Sequence, residues 1–263
     1  MKLTRLNADS AWLFEIDGTR LLVDPWLDGP AIVGLPAIHR ATLGGPAVPI
    51  GEVPPAHALL LSHPYPDHTQ AATLACLPKD LPVLASPIAG FFAARHGGFR
   101  EVRRLGDRTF GEPATVFGRI SIAYCRAGRL APTHNVYVLK GLDSGETLLY
   151  SVHGMRLAGP QLAAVEAEIG PRLDVLVCSF THLDLPFYLG GVANLGEAAA
   201  LDLVDRFRPR WVLQTHDGEK PDTGFISKVA KITRCADVPA ALLRCGLLAR
   251  HAAPPVGEAW TPA

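Results

Sequence analysis

Short apolar runs of strand length alternate with helix-compatible segments along this chain, which predicts a layered α/β fold in which two sheets carry helices on their outer faces. Three observations carry that expectation. The chain opens as an antiparallel meander, continues from 57 to 104 in a β-α-β-α-β order, and then repeats the style, hairpin strands first and β-α units afterwards. With 263 residues, 48% of them hydrophobic, the chain can bury an extensive core without disulfides. One domain over 1–263 is expected, with a loosely attached tail from about 249 where Pro254, Pro255 and Pro262 accumulate.

The elements follow in order. Strands are expected at 3–6, 11–16 and 20–23, the last two joined by the turn dipeptide Asp17-Gly18. Residues 27–55 are rich in Gly and Pro and show no sustained period, so they read as a long functional loop. The run His57-Ala58-Leu59-Leu60-Leu61-Ser62 has the character of a buried strand, followed by a polar loop and a helix over 68–77. A strand at 82–85, a helix at 87–96 with Pro87 in its first turn, and a strand at 101–104 close the first half. The second half is expected to hold strands at 120–124, 135–140, 147–151, 174–178 and 211–215, and helices at 160–169, 195–207 and 222–234.

Charge and cysteine usage narrow the function classes. Lys+Arg 25 balance Asp+Glu 25, so no excess positive charge is available for a phosphate backbone, and neither a nucleic-acid partner nor the nuclease branch of any fold is expected. The five cysteines are widely spaced with no C-x-x-C pair, as in reduced core thiols of a cytoplasmic protein. The first residues lack a continuous apolar stretch, so no signal peptide and no membrane partner are expected. A G-x-S-x-G elbow and a dinucleotide-binding fingerprint are both missing, which leaves serine-hydrolase and nicotinamide chemistry without support. What stands out is ten histidines, several beside aspartates.

The densest group is Leu59-Leu60-Leu61-Ser62-His63-Pro64-Tyr65-Pro66-Asp67-His68. A hydrophobic strand ends there, and a tight loop brings two imidazoles and a carboxylate to its carboxyl edge, where α/β sheets commonly present ligand sites. Nitrogen and oxygen donors of this kind suit zinc, iron or manganese. The flanking prolines stiffen the loop and lower the entropy lost on closing around an ion.

This segment resembles the H-x-H-x-D-H signature of the metallo-β-lactamase superfamily, read here as His63-x-Tyr65-x-Asp67-His68. Leu21-Leu22-Val23-Asp24-Pro25-Trp26 is similar to the early strand ending in Asp-Pro of the branch that contains ascorbate-phosphate lactonase. Glu146-Thr147-Leu148-Leu149-Tyr150-Ser151-Val152-His153-Gly154 resembles the strand that delivers the metal-bridging aspartate, with His153 in its place. Arg210-Trp211-Val212-Leu213-Gln214-Thr215-His216-Asp217 resembles the late strand that carries the last histidine ligand. The altered ligands are also similar to divergent members from cyanobacteria and plant plastids.

The resemblance implies the four-layer αβ/βα sandwich of that superfamily and a divalent metal, zinc before iron or manganese. In a complete site one ion would take His63, residue 65 and a mid-chain histidine, the other Asp67, His68 and His216, with residue 153 bridging. Tyr65 would bind only weakly or as phenolate, and an imidazole at 153 does not bridge as a carboxylate does. A mononuclear site built from His63, Asp67, His68, His153 and His216 is therefore expected. Asp67 would orient the attacking water, His134 or His153 would pass a proton, and Asp24 would orient a ligand from behind. His39, His57, His96 and His251 have no partner pattern, and Thr181-His182-Leu183-Asp184 offers a turn or a substrate-side pair.

Two functions of different class follow: a metal-dependent hydrolase of a small ester, lactone or phosphoester, and a catalytically degenerate binding or scaffold domain. Convergence of the five side chains on one point favours the first. Rings turned away, or a cavity plugged by Tyr65 or 27–55, favours the second.

Overall fold

The computed structural model describes residues 1–106, 113–126 and 134–263. In chain order the strands are β1 (Lys2–Arg5), β2 (Trp12–Ile16), β3 (Thr19–Val23), β4 (Ala31–Val33), β5 (His39–Ala41), β6 (Ala58–Leu61), β7 (Val83–Ala85), β8 (Val102–Arg104), β9 (Ala114–Val116) and β10 (Ile120–Arg126). They continue as β11 (Asn135–Gly141), β12 (Thr147–Ser151), β13 (Val175–Cys178), β14 (His182–Asp184), β15 (Val192–Leu195), β16 (Trp211–Gln214), β17 (Asp222–Thr223), β18 (Lys231–Thr233), β19 (Arg250–Ala252) and β20 (Ala259–Trp260). The helices are α1 (Ala71–Cys76), α2 (Pro87–Arg95), α3 (Gly159–Ile169), α4 (Glu197–Phe207), α5 (Phe225–Val229) and α6 (Val238–Arg244).

Two seven-stranded sheets form the body, ordered β20-β1-β2-β3-β6-β7-β8 and β19-β16-β13-β12-β11-β10-β9. Their inner faces meet in one core, where Phe14, Val23 and Leu60 of the first sheet pack with Leu139, Tyr150, Val177 and Leu213 of the second. The alternation of side chains along each strand sends the other set outward. On the first sheet Leu59 and Leu61 meet Leu74 of α1 and Ala89 and Ala93 of α2. On the second, Leu149, Leu176 and Val212 meet Val165 of α3, Leu203 of α4 and Leu242 of α6. The result is the expected helix-sheet-sheet-helix sandwich, each sheet buried on both faces, which is why the central strands are almost continuously apolar.

The sheets are parallel where the chemistry gathers. β3 runs parallel to β6, and β12, β13 and β16 run parallel to one another, so the carboxyl ends of all five lie at one edge of the sandwich.

Three expectations need correction. Residues 27–55 are not wholly irregular: β4 and β5 pair, and β17 joins them in a small sheet. The region 222–234 is not one helix but β17, the five-residue α5 and β18. Gly224 at φ 104° breaks the segment, and a Cβ there would lie 2.7 Å from the Ile38 carbonyl oxygen. The tail is not loose either. β19 pairs with β16 and β20 with β1, so the last residues supply an edge strand to each large sheet. Trp260 stacks edge-on against Trp211 at 5.2 Å between ring centres. Trp260→Ala is therefore expected to lower unfolding free energy by about 1–3 kcal/mol, measured by urea denaturation, where a loose tail would leave it unchanged.

Among the described residues, no helix is long and apolar enough to cross a membrane.

Candidate metal centre

Four strand ends and one turn build the site. Val23 of β3 leads to Asp24, Leu61 of β6 to Ser62-His63, Ser151 of β12 to His153, and Gln214 of β16 to His216. Asp24 and His216 both adopt left-handed backbone, at φ 43° and 58°, which costs energy for a residue with a Cβ and turns each side chain across the strand ends. In the loop after β6, the amides of His68 and Thr69 both donate to the Tyr65 carbonyl, at 2.9 and 2.8 Å. This turn, stiffened by Pro64 and Pro66, sets Asp67 and His68 before the helix rather than within it. The helix starts only at Ala71, where the Gln70 side chain caps the Thr73 amide at 2.6 Å.

His63 and His68 are fully buried, and His153 and His216 nearly so. Their rings form a contiguous cluster in which His63 and His153 stack and the other pairs are tilted or edge-on. His63 lies 4.2 Å from His153, His153 4.7 Å from His216, and His68 5.0 Å from each of His63, His153 and His216, measured between ring centres. Donor atoms fall into two overlapping groups, His63-His68-His153 and Asp67-His68-His216, each with its atoms within 4.8 Å of one another. All five expected residues thus come together. Their partition differs from the expected one, since His153 joins His63 and His68, and His68 is common to both groups.

The orientation of each ring is set by what lies behind it. His68 Nδ1 donates to Asp24 Oδ2 at 3.1 Å, and His216 Nδ1 donates to Asp9 Oδ2 at 3.1 Å. His63 Nδ1 donates at 2.7 Å to Ser62 Oγ, whose own hydroxyl proton goes to Asp24. These partners place an N–H on Nδ1 of all three rings and turn their Nε2 atoms towards the cluster, the orientation a metal ligand needs. Asp24 accepts further from the Ser62 amide at 2.7 Å and from Tyr150 Oη at 2.7 Å, so its carboxylate is fully engaged. Burial alone would raise the Asp24 carboxyl, but His68, His63 and Ser62 hold it below the usual range.

His153 differs in kind. Burial and the neighbouring imidazoles push it well below the ordinary histidine value, so it is neutral, and its Nδ1 is buried without a partner. Its Nε2 faces His68 Nε2 at 3.1 Å. Two ligand nitrogens about 2.1 Å from a shared ion sit at about that separation. Inward lone pairs, an orphaned neutral imidazole and the Asp67 carboxylate together fit a divalent cation.

Asp67 is drawn down to about 2, burial opposing the shift and His68, Lys220 and His216 driving it. Tyr65 moves the other way. Burial and Asp67 raise its phenol above the ordinary value, which favours the protonated, hydrogen-bond-donating form.

Two site residues escape the sequence pattern. Asp9, in the turn between β1 and β2, is buried and also meets Lys220 Nζ at 3.2 Å. Lys220 lies 3.5 Å from Asp67 Oδ2 and 3.2 Å from both ring nitrogens of His216. A lysine four residues after His216 is the only signal available in the chain, and it has no motif to mark it.

His134 is outside both ligand groups. Pro132 and Thr133 before it lie outside the described residues. The His134 ring is held by the backbone of Val192 and Ala193, with Nε2 buried and unpartnered, and burial lowers its pKa. It shares with Tyr65, Asp67, His153, His216 and Lys220 a cavity of about 530 Å³, whose outer wall is apolar: Val33, Leu183, Leu185, Val192, Ile226 and Ile232. The β4-β5 hairpin supplies Ala31, Val33, His39 and Ala41 to its wall. His39, expected to have no partner, pairs there with Asp222 at 3.2 Å. His182 of β14 turns to the Leu195 carbonyl, while Thr181 and Leu183 beside it line the cavity.

Comparison with known proteins agrees with this architecture. Residues 5–216 match the model of the beta-lactamase superfamily domain. No curated protein matches the sequence. Among solved structures, the chain is similar to an isothiocyanate hydrolase from Delia radicum gut bacteria, with 17% identity, TM-score 0.69, and 99% and 98% of the two chains covered. It is also similar to a possible metal-dependent hydrolase from Veillonella parvula, with 14% identity, TM-score 0.70 and 99% of each chain covered. A metallo hydrolase from the archaeon Ignicoccus hospitalis follows, with 18% identity, TM-score 0.59, and 98% and 97% covered. At such identities the likeness is one of fold. The family model spans most of the chain, and the chain belongs to the beta-lactamase superfamily.

Proposed function

We propose that the protein is a metal-dependent hydrolase acting on a small ester, lactone or phosphoester, with zinc as its ion and His63, Asp67, His68, His153 and His216 as the residues that surround it. The observation that carries the reading is the convergence of the donor atoms of His63, Asp67, His68, His153 and His216, of which Asp67, His153 and His216 line an apolar-walled cavity. Two of the similar structures, a possible metal-dependent hydrolase and a metallo hydrolase, support it.

With a divalent ion bound, the chemistry supplied is Lewis acidity, which brings the pKa of water towards neutrality and polarises the oxygen of the scissile group. The chain's own residues do the rest. Asp67, an anion down to about pH 2, accepts a hydrogen bond from the attacking water and aims it. The Tyr65 phenol donates to substrate oxygen. His134, neutral and with Nε2 unpartnered, exchanges a proton with the leaving group. The apolar wall excludes water and accommodates the organic part of the substrate.

A panel of carboxylic esters, lactones and phosphoesters tested with the wild type and with the Asp67→Ala/His68→Ala double variant decides the matter. Turnover of at least one class by the wild type, lost in the double variant together with bound zinc, is the expected result. A wild type that holds zinc but turns over no member of any class contradicts the hydrolase reading.

A further inference from the structure

Two small sheets, β15-β14-β18 and β17-β5-β4, line the cavity that Asp67, His153 and His216 share. They do so with the two-residue period of a strand. Leu183 and Leu185 reach the cavity from β14 and its end, Ile232 and Arg234 from β18 and its end, and Ala31 and Val33 from β4. Leu183 and Ile232 are partners in the register of β14 and β18. The first sheet is tied to the imidazole cluster, since the Leu195 amide of β15 donates to the His153 carbonyl at 3.0 Å. Asn194 beside it lines the cavity with its Oδ1 buried and unpartnered, an acceptor that a bound molecule satisfies.

The apolar side chains of this lining are not used to pack the fold. Leu183, Leu185, Val192, Ile226 and Ile232 belong to none of the hydrophobic clusters of the described residues, and Ile232 is 47% exposed. Apolar surface gathered in one place and left outside the core marks a binding surface. It continues outward through Phe187, 90% exposed in the turn between β14 and β15, and Phe225 beside Ile226. A volume of about 530 Å³ is of the size that encloses a whole organic molecule, and a two-carbon acyl group would leave most of it unfilled.

Charge along the lining is balanced, two acidic side chains against two basic ones. Lys220 is 3.5 Å from Asp67, and Asp222 is 3.2 Å from His39. Among the described lining residues only Arg234 is left to meet a charged tail, and an exposed guanidinium offsets little of the cost of taking that charge out of water.

We infer that the two small sheets hold a long uncharged hydrocarbon body of the substrate, so that the site prefers esters or lactones with an extended alkyl or acyl chain to short or charged ones. The inference rests on the hydrolase reading above and narrows its substrate class. Leu183 and Ile232 determine specificity by touching the chain and not the reacting group.

The test is kcat/KM of the zinc-loaded full chain on para-nitrophenyl esters from acetate to octanoate, beside the octanedioic half-ester, which has the same reacting group and a charged tail. A rise of up to about fourfold per added methylene is expected, the ~0.8 kcal/mol of one buried CH2, with the half-ester about tenfold or more below octanoate. The octanoate-to-acetate ratio should fall about tenfold in Ile232→Asn and in Leu183→Asn. A flat or falling series, a half-ester that matches octanoate, or an unchanged ratio in both folded variants overturns the inference. Octanamide should also bind the chelator-stripped chain in calorimetry and lose about tenfold in affinity in Ile232→Asn. No binding of octanamide overturns the inference whatever the turnover, whereas binding without turnover of any ester or lactone overturns the hydrolase reading on which it rests.

Discussion

His68→Ala is expected to remove the metal and, with it, nearly all turnover. His68 is the one residue shared by both ligand groups, so no repartition of the remaining donors restores three ligands around an ion. Its ring is fully buried, and its two nitrogens are committed in opposite directions, Nδ1 to Asp24 and Nε2 to the cluster. A fall in kcat/KM of about 10³-fold is expected, equivalent to about 4 kcal/mol of transition-state stabilisation. The measurement is steady-state hydrolysis beside zinc content. Full activity in a zinc-free His68→Ala protein would contradict the assignment. Thermal stability should change less than activity, because the void is small and opens into a polar cluster.

Asp24→Ala should damage both folding and metal binding, although Asp24 touches no substrate. The carboxylate lies in the core with no exposure and accepts from His68, Tyr150 and both the amide and hydroxyl of Ser62. Its removal leaves those donors without a buried acceptor, which typically costs about 3–5 kcal/mol in stability. It also frees His68 directly, and His63 through Ser62, from the Nδ1-protonated tautomer. Zinc affinity should then fall about 10–100-fold. Asp24→Asn separates the two effects. The amide keeps the shape and one acceptor, so most of the stability should return, while zinc affinity stays reduced because the charge that biases the imidazoles is gone. Denaturant unfolding and zinc titration on both variants check this; equal recovery of both properties in Asp24→Asn would argue against an orienting role for the charge.

Much of the fold is legible from local pattern. Leu59 to Leu61 and Leu148 to Tyr150 read as buried strands because both faces of each sheet are covered, and each ends in a histidine-bearing turn that the motif made visible. What escaped the sequence is what depends on distant pairing. Asp9 and His216 are 207 positions apart, and nothing in the turn Asn7 to Ser10 signals a carboxylate aimed at a ring from the far end of the chain. Lys220 carries meaning only once Asp9 and Asp67 are placed beside it. The hairpin of β4 and β5 consists of three-residue strands, too short to show a period. The proline-rich end looked loose because its strand character comes from the open edges of β1 and β16 and not from its own residues. Tyr65 was legible as a departure from the motif, but the raised pKa of its phenol was not, since that comes from burial beside Asp67.

The central claim, that this cluster is a working metal centre, is tested most directly by titrating zinc into the chelator-stripped full chain while following hydrolysis of the best ester or lactone of the panel. Activity should be absent without zinc, rise with added metal in step with the zinc bound, and level off when the site is filled. Hydrolysis that is the same with and without bound zinc would contradict it.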